Sequence, residues 1–294
     1  MLIFSVIVCY IPQIRNLSVL CDNLYKSNSK VIIIDNTEKS YISKSFDTTN
    51  YTLIEMCENT GIAKAQNIGI LEALKNNADV IVFFDQDSEI KSEFITNLLF
   101  PFKLNQPMVL APVFYDIKYQ SMVPKFDFTH AFLDNISSQD KEDKTYSVNK
   151  IISSGSAVTK EVFEIVGLMD EDYFIDFVDT DFFLRCRAKN ISMVIVPNAV
   201  MLHSVGERTI NLLLIRLFVH SDIRTYYKVR NSFLFFRKKH VPFLIGIKEI
   251  LSALVHNFLI LFFVENKMSH FSNYLFAIYD GFMNKKGKKQ VNEY

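Results

Sequence analysis

The chain has 294 residues, 49% apolar and 22% charged, with 8 Gly and 7 Pro. That composition excludes a disordered, collagen-like or coiled-coil chain and leaves one large or two small folded domains. Lys plus Arg equal Asp plus Glu at 32 each, so no overall basic signature points to nucleic acid.

The balance conceals a division. Residues 1–210 hold 19 Lys/Arg against 27 Asp/Glu, whereas residues 211–294 hold 13 against 5. An acidic first part joined to a basic, Phe-rich tail predicts two regions, 1–208 and 209–294. Cys9, Cys21, Cys57 and Cys186 form no CxxC pair, which suits a reducing cytoplasm.

In chain order, Ile3–Cys9 is a fully apolar run without a charged leader, read as a buried strand rather than a signal peptide. Helical spacing follows through Leu17, Leu20 and Leu24. Val31–Ile34 and Tyr51–Glu55 read as strands, and Gly61–Asn76 as a helix with Ile62, Ala65, Ile68, Leu71 and Leu74 inward. Val80–Phe84 is a further strand, Glu93–Phe102 a helix and Met108–Ala111 a strand. Strand–helix alternation with fully apolar strands predicts an α/β fold, a mostly parallel sheet flanked by helices. Residues 112–149 lose the rhythm and read as loops around a cleft. Lys150–Ser153, Ile191–Val196 and Val200–His203 resume strand character, with a helix over Asp179–Lys189. From Thr209 to about Met283 the pattern is helical and apolar. The run Ile250–Val264 is too short to cross a hydrocarbon core of about 30 Å. With Lys285, Lys286, Lys288 and Lys289 after it, it suits the surface of an anionic membrane, or burial in a homodimer.

In open α/β sheets, ligands bind beyond the carboxyl ends of the strands. Asp35 ends one strand, and Asp85-Gln86-Asp87 ends another. Paired carboxylates there suit Mg²⁺ or Mn²⁺ shared with substrate phosphates, although such pairs also cap turns. A third cluster holds Asp176, Asp179 and Asp181; these cap a helix, or one of them is a general base. Arg224, Lys228 and Asn231 share a helical face suited to solvent or to a phosphate.

Taken together, VIVCY at Val6–Tyr10, IIDN at Ile33–Asn36, NTGIAKAQNIGI at Asn59–Ile70 and FFDQDS at Phe83–Ser88 resemble inverting glycosyltransferases of family 2. SSGS at Ser153–Ser156, the segment Val166–Arg185, H-x-x-G at His203–Gly206 and R-x-Y-Y-x-x-R-N at Arg224–Asn231 extend the resemblance over roughly residues 1–240. The motif forms look most like the bacterial rhamnosyltransferase branch. The resemblance implies the GT-A fold with a C-terminal helical extension. It implies transfer of L-rhamnose from dTDP-L-rhamnose, with inversion, onto a saccharide linked to a polyprenyl diphosphate at the inner membrane face.

Residue by residue, the resemblance implies that Asp35 reads the nucleotide base and that Asp85 lies against the ribose side. Asp87 binds the divalent metal, with Asp85 and His203 completing its site. Asn67, Gln86, Gly155 and Ser156 fall in the donor-binding set, and Arg224, Arg230 and Asn231 steady the diphosphate. Asp179 falls where the family has its base, with Asp181 supporting it and Asp176 a rival, since Val178 stands where the family often has Glu. A family 2 transferase using UDP-galactose, UDP-N-acetylglucosamine or UDP-galactofuranose is the nearest alternative, and a non-catalytic membrane-surface protein a more remote one.

Overall fold

A computed structural model describes residues 1–116, 121–123, 146–147, 151–203, 208–212, 215–219, 221–264 and 266–290. Strand residues between 115 and 147 and between 203 and 219 are described by backbone alone. The chain forms two units: residues 1–169 with 182–204, and residues 170–181 with 205–294. The short acidic segment 170–181 therefore groups with the tail, which a single linear boundary near 208 does not capture.

The first unit begins with β1 (Ile3–Cys9), α1 (Ile14–Lys26), β2 (Lys30–Asp35), α2 (Ile42–Ser45), β3 (Thr52–Glu55), α3 (Ile62–Lys75) and β4 (Val80–Asp85). It continues with β5 (Glu89–Ile90), α4 (Phe94–Leu98), β6 (Met108–Asp116), β7 (Ser121–Val123), β8 (Tyr146–Ser147) and β9 (Ala157–Thr159). It closes with α5 (Lys160–Val166), most of α6 (Val178–Ala188) and β10 (Ser192–His203). The sheet order is β3-β2-β1-β4-β9-β6-β10-β5, with β7 on β6 and β8 on β10. Strands β3, β2, β1 and β4 are mutually parallel, β9 is antiparallel to both neighbours, and β6 and β10 are parallel. The antiparallel β9 lies between β4 and β6, and β5, β7 and β8 also pair antiparallel, at the β10 and β6 side of the sheet.

The β1, β2 and β4 interiors are almost wholly buried, as expected for parallel strands covered on both faces. On α1, Leu17, Leu20, Cys21 and Leu24 follow the i, i+3, i+4, i+7 pattern and join Ile7, Ile33 and Val82 in the main core. Burying each such aliphatic side chain contributes about 1.5–3 kcal/mol.

Several elements differ from the sequence reading. Helix α3 buries Ala65 as expected, but with it Ala63, Gln66, Asn67, Ile70 and Ala73, while Leu71 is exposed. Close approach decides this: a Cβ on Gly69 would lie 2.3 Å from Val6 Cγ1, so α3 turns its small and amide residues to the sheet. The helix expected over Glu93–Phe102 is the short α4, and β6 runs on to Asp116. Ile191–Val196 and Val200–His203 are one strand, β10, with an irregularity between Val196 and Val200. The strand expected at Lys150–Ser153 lies instead at β9, because Ser156 N to Ser153 O (2.9 Å) and Gly155 N to Phe83 O (2.7 Å) close a turn first. Most of 112–149 lies outside the described residues.

The second unit contains a 3-10 turn (Glu171–Tyr173), the start of α6, a hairpin of β11 (Arg208–Leu212) and β12 (Ile215–Val219), and three helices. The hairpin replaces the helix expected from Thr209. A short apolar run such as Asn211–Val219 fits a buried helix and a strand pair alike by periodicity. The helices are α7 (Asp222–Phe236), α8 (Phe243–Ile260) and α9 (Lys267–Phe282), with α7 packed on both others. Phe174, Tyr226, Tyr227, Val229, Ala253, Tyr274 and Ala277 form its core. Helix α8 starts seven residues before the apolar run read from sequence. At 18 residues it is the one helix among those described that is long and apolar enough to cross a membrane. Only 22% of it is buried.

Candidate active site

In the first unit the carboxyl ends of β1, β2 and β4 lie side by side, since Cys9 pairs with Asp35 and Val8 with Asp85. Asp35 is fully buried; its Oδ1 accepts from Thr37 N at 3.1 Å, and its Oδ2 has no hydrogen-bond partner. A buried carboxylate oxygen without a donor is costly unless a ligand supplies one. Around it, Asn36 accepts from Thr60 N (2.8 Å) and donates to Asn59 Oδ1 (3.2 Å) and to Gly61 O (3.3 Å). Thr37 Oγ1 accepts from Ile11 N at 2.9 Å. These bonds fix the three strand-end loops about Asp35. Sequence reasoning did not single out Thr37; an Asp followed two residues later by Thr is its only local signal.

Asp85 and Asp87 are exposed on a turn closed by Ser88 N to Asp85 O at 3.1 Å. Gln86 holds that turn to the end of β1. It accepts from Tyr10 N (2.7 Å) and donates to Tyr10 O (3.1 Å). His203 ends β10; the pairing of Leu202 with Glu89 sets its backbone beside the same turn, while its side chain lies outside the described residues. Among the described residues no three His, Cys, Asp or Glu side chains cluster as a complete metal site. Two exposed carboxylates suit a hard cation that takes its remaining ligands from phosphate oxygens and water.

Several donor-site expectations find a supporting position instead. Asn67 is buried and grips the Met169 backbone, accepting from its N at 2.8 Å and donating to its O at 3.0 Å. Ser156 is fully buried, with its hydroxyl on Ser153 O at 2.7 Å. Gly155 has φ +72°, and a Cβ there would lie 2.0 Å from Met201 Sδ. These residues shape the floor of the strand ends rather than present donors. Ser154 is half-buried, with its Oγ 3.4 Å from Ser88 Oγ on the acidic turn.

In the second unit the acidic segment takes an unusual path. Phe174, Asp176 and Phe177 all have positive φ, at 66°, 61° and 65°. Each such residue costs on the order of 1–3 kcal/mol, and such strain clusters at functional sites. Asn231 holds the path by donating to Tyr173 O (2.9 Å), Ile175 O (2.7 Å) and Asp176 O (3.2 Å). Arg230 donates to Asn231 Oδ1 (2.8 Å), Tyr173 O (3.0 Å) and Gly287 O (2.7 Å), with its guanidinium over the Tyr227 ring. Arg230 is 1% exposed and Asn231 0%. Neither is presented to a diphosphate; both brace the acidic segment.

The three acids of that segment separate by environment. Asp181 is 0% exposed; its Oδ1 accepts from Tyr173 OH at 3.2 Å and lies 2.8 Å from His240 Nε2. Full burial removes it from direct contact with an acceptor. Asp176 pairs with Arg224, Oδ1 to Nη2 at 3.3 Å, which occupies both. Asp179 is half-buried in the first turn of α6, where its Oδ1 accepts from Thr180 N at 2.7 Å. His240 was not foreseen, because it lies 59 residues from its partner with no motif around it. The buried thiols offer no nucleophile: burial, then the Asp35 charge, pushes Cys9 well up, and burial pushes Cys186 up to about 12.

The chain is 38% identical over 291 residues to dTDP-rhamnosyl transferase RfbF of Shigella flexneri, covering 99% of this chain and 98% of that one. It is 22% identical over 283 residues to the low-salt glycan biosynthesis hexosyltransferase Agl10 of Haloferax volcanii, covering 91% and 88%. Its fold resembles the crystal structure of S. aureus TarS 1-349 in complex with UDP-GlcNAc, with a TM-score of 0.56, 12% identity, and 97% and 82% of the two chains covered. That likeness and the sheet order make the fold GT-A. The model of the family described as Glycosyl transferase family 2 matches residues 6–173, from β1 through the start of the acidic segment. The chain is a glycosyltransferase that uses a nucleotide-sugar donor, and it belongs to glycosyl transferase family 2.

Proposed function

We propose that the protein transfers L-rhamnose from dTDP-L-rhamnose, with inversion, to a saccharide acceptor in the synthesis of a bacterial cell-surface polysaccharide. The near full-length kinship to a dTDP-rhamnosyl transferase carries the choice of donor. The unpartnered Asp35 Oδ2 supports a pyrimidine nucleotide, because thymine and uracil both offer an N3–H to it. Asp85 lies on the ribose side. Asp87, with Asp85 and His203, would hold Mg²⁺ or Mn²⁺, which when bound supplies neutralisation of charge on the departing diphosphate.

Asp179 is the general base in this reading. It takes the proton from the acceptor hydroxyl as that oxygen attacks the anomeric carbon, and a β-linked donor yields an α-rhamnoside. Such base catalysis contributes about 10²–10⁴-fold. Asp181, fixed by Tyr173 and His240, holds the first turn of α6 in place. Arg224 keeps Asp176 away from the proton-transfer role.

The acceptor in this reading is carried on a polyprenyl diphosphate at the cytoplasmic membrane face. Support comes from the exposed large apolar side chains of α8 and α9, among them Leu244, Leu251, Val255, Phe276 and Phe282. Because both helices pack on α7, the surface mode fits better than a span by α8 alone. The lysines contribute less than the sequence suggests. Lys285 pairs with Asp280 at 2.8 Å and Lys286 with Asp172 at 2.9 Å, while Lys289 donates to Asn273. Sedimentation with vesicles should show binding that survives high salt and is lost in Leu244→Glu/Phe282→Glu; absence of binding to any vesicle removes this part of the reading.

The donor is tested by nucleoside diphosphate release from dTDP-L-rhamnose and a panel of UDP-, GDP- and CMP-sugars, with detergent-solubilised lipid extract as acceptor. Release from dTDP-L-rhamnose, abolished by EDTA, is the expected result. Release from a UDP-sugar instead would overturn the donor while leaving the family chemistry intact.

A further inference from the structure

We propose that residues 285–289, just beyond α9, form a strap whose attachment positions the acidic segment for catalysis. Gly287 N donates to Asp172 O at 2.7 Å, and Gly287 O accepts from the buried Arg230 at 2.7 Å. Lys286 pairs with the Asp172 carboxylate at 2.9 Å, and Lys289 N donates to Tyr227 OH at 2.8 Å. The strap thus closes over Arg230 from one side while Tyr173 O and Asn231 hold it from the other.

The need for such a brace follows from the backbone. Phe174, Asp176 and Phe177 sit in a left-handed conformation that their own side chains disfavour, so the path persists only where its surroundings over-determine it. Asn231, itself oriented by Arg230, supplies the three hydrogen bonds that do so. Asp181 N then donates to Phe177 O at 2.8 Å, which starts α6 and sets where Asp179 stands. Gly287, Lys286 and Arg230 are therefore positioning residues, acting on Asp179 through the path of the loop. The proposal rests on the reading of Asp179 as the base.

The test is Gly287→Pro in the full chain. Gly287 has φ +69°, which Pro cannot adopt, and Pro also lacks the N–H that reaches Asp172. Turnover of the donor that the wild-type protein uses should fall about 10-fold in kcat, with donor KM and nucleoside diphosphate affinity within about twofold of wild type. Gly287→Asn tolerates positive φ, keeps the N–H, and meets no atom within 4 Å of its Cβ, so it should retain near-normal kcat. Lys286→Ala, on the surface, should fall between the two without loss of folding. Normal kcat in Gly287→Pro would overturn the proposal. So would an equal loss in Gly287→Asn, or a fall in donor affinity that tracks kcat. Asp179→Asn is read alongside: full turnover there refutes the base assignment whatever Gly287→Pro does.

Discussion

The first unit places its functional groups by regular structure, and the second by exception to it. Asp35 and Asp85 are where they are because parallel strands in register end together. Asp176 is one of three left-handed residues that no propensity favours, Asp179 follows them, and a buried Arg–Asn pair with a C-terminal strap holds the segment. In the proposed reading, nucleotide binding rests on strand ends set by a regular ladder, and proton transfer on a segment that depends on contacts distant in sequence. That difference predicts separable losses.

Asp87→Ala should produce the largest loss in the first unit. A fall in kcat/KM on the order of 100-fold, with weakened metal-dependent nucleotide binding, corresponds to about 2.7 kcal/mol. Unchanged metal dependence in that variant would remove Asp87 from the cation site. Gly155→Ala tests the floor of the same unit. Its Cβ would meet Met201 Sδ at 2.0 Å and Pro112 Cγ at 2.8 Å, at φ +72°. Thermal unfolding should show destabilisation of about 2–4 kcal/mol. A melting temperature equal to wild type would mean that β10 and β6 yield more readily than their packing suggests.

The smallest effect concerns pH and belongs to the second unit. Burial would raise the Asp172 carboxyl, but Lys286 and Lys238 outweigh it and hold it below the usual carboxylate range. Burial would lower Lys238, but Asp170 and Asp172 outweigh it and hold it above the usual lysine range. The depressed acid stabilises the folded state above its ordinary value and loses that contribution as pH falls through the folded one. The raised base does the reverse at the alkaline end. Between about pH 5 and pH 9 the contribution is complete. Hydrogen exchange should show the strap and acidic segment loosening below about pH 4, before the β1–β4 ladder. Simultaneous loosening of both would deny the second unit its separate dependence.

What the sequence revealed follows the same division. Fully apolar runs followed by Asp announce β2 and β4, so the positions of Asp35 and of Asp85–Asp87 at strand ends could be read directly. The acidic cluster was visible as residue types, and only burial distinguishes Asp181 from Asp179. Arg230, Asn231 and Asn67 look like ligand donors in sequence because amide and guanidinium groups serve backbone carbonyls and phosphates equally well. The contacts that decide between those uses span 57, 58 and 102 residues. The hairpin at Arg208–Val219 was hidden because its apolar pattern satisfies two periodicities.

The most direct test of the account is to measure Asp179→Asn twice, by calorimetric binding of the nucleoside diphosphate and by sugar transfer from dTDP-L-rhamnose. Affinity should stay within about twofold of wild type and transfer should fall by at least about 10²-fold. Transfer at near-normal rate would contradict it and turn attention to Asp176, whose pairing with Arg224 would then be broken during turnover.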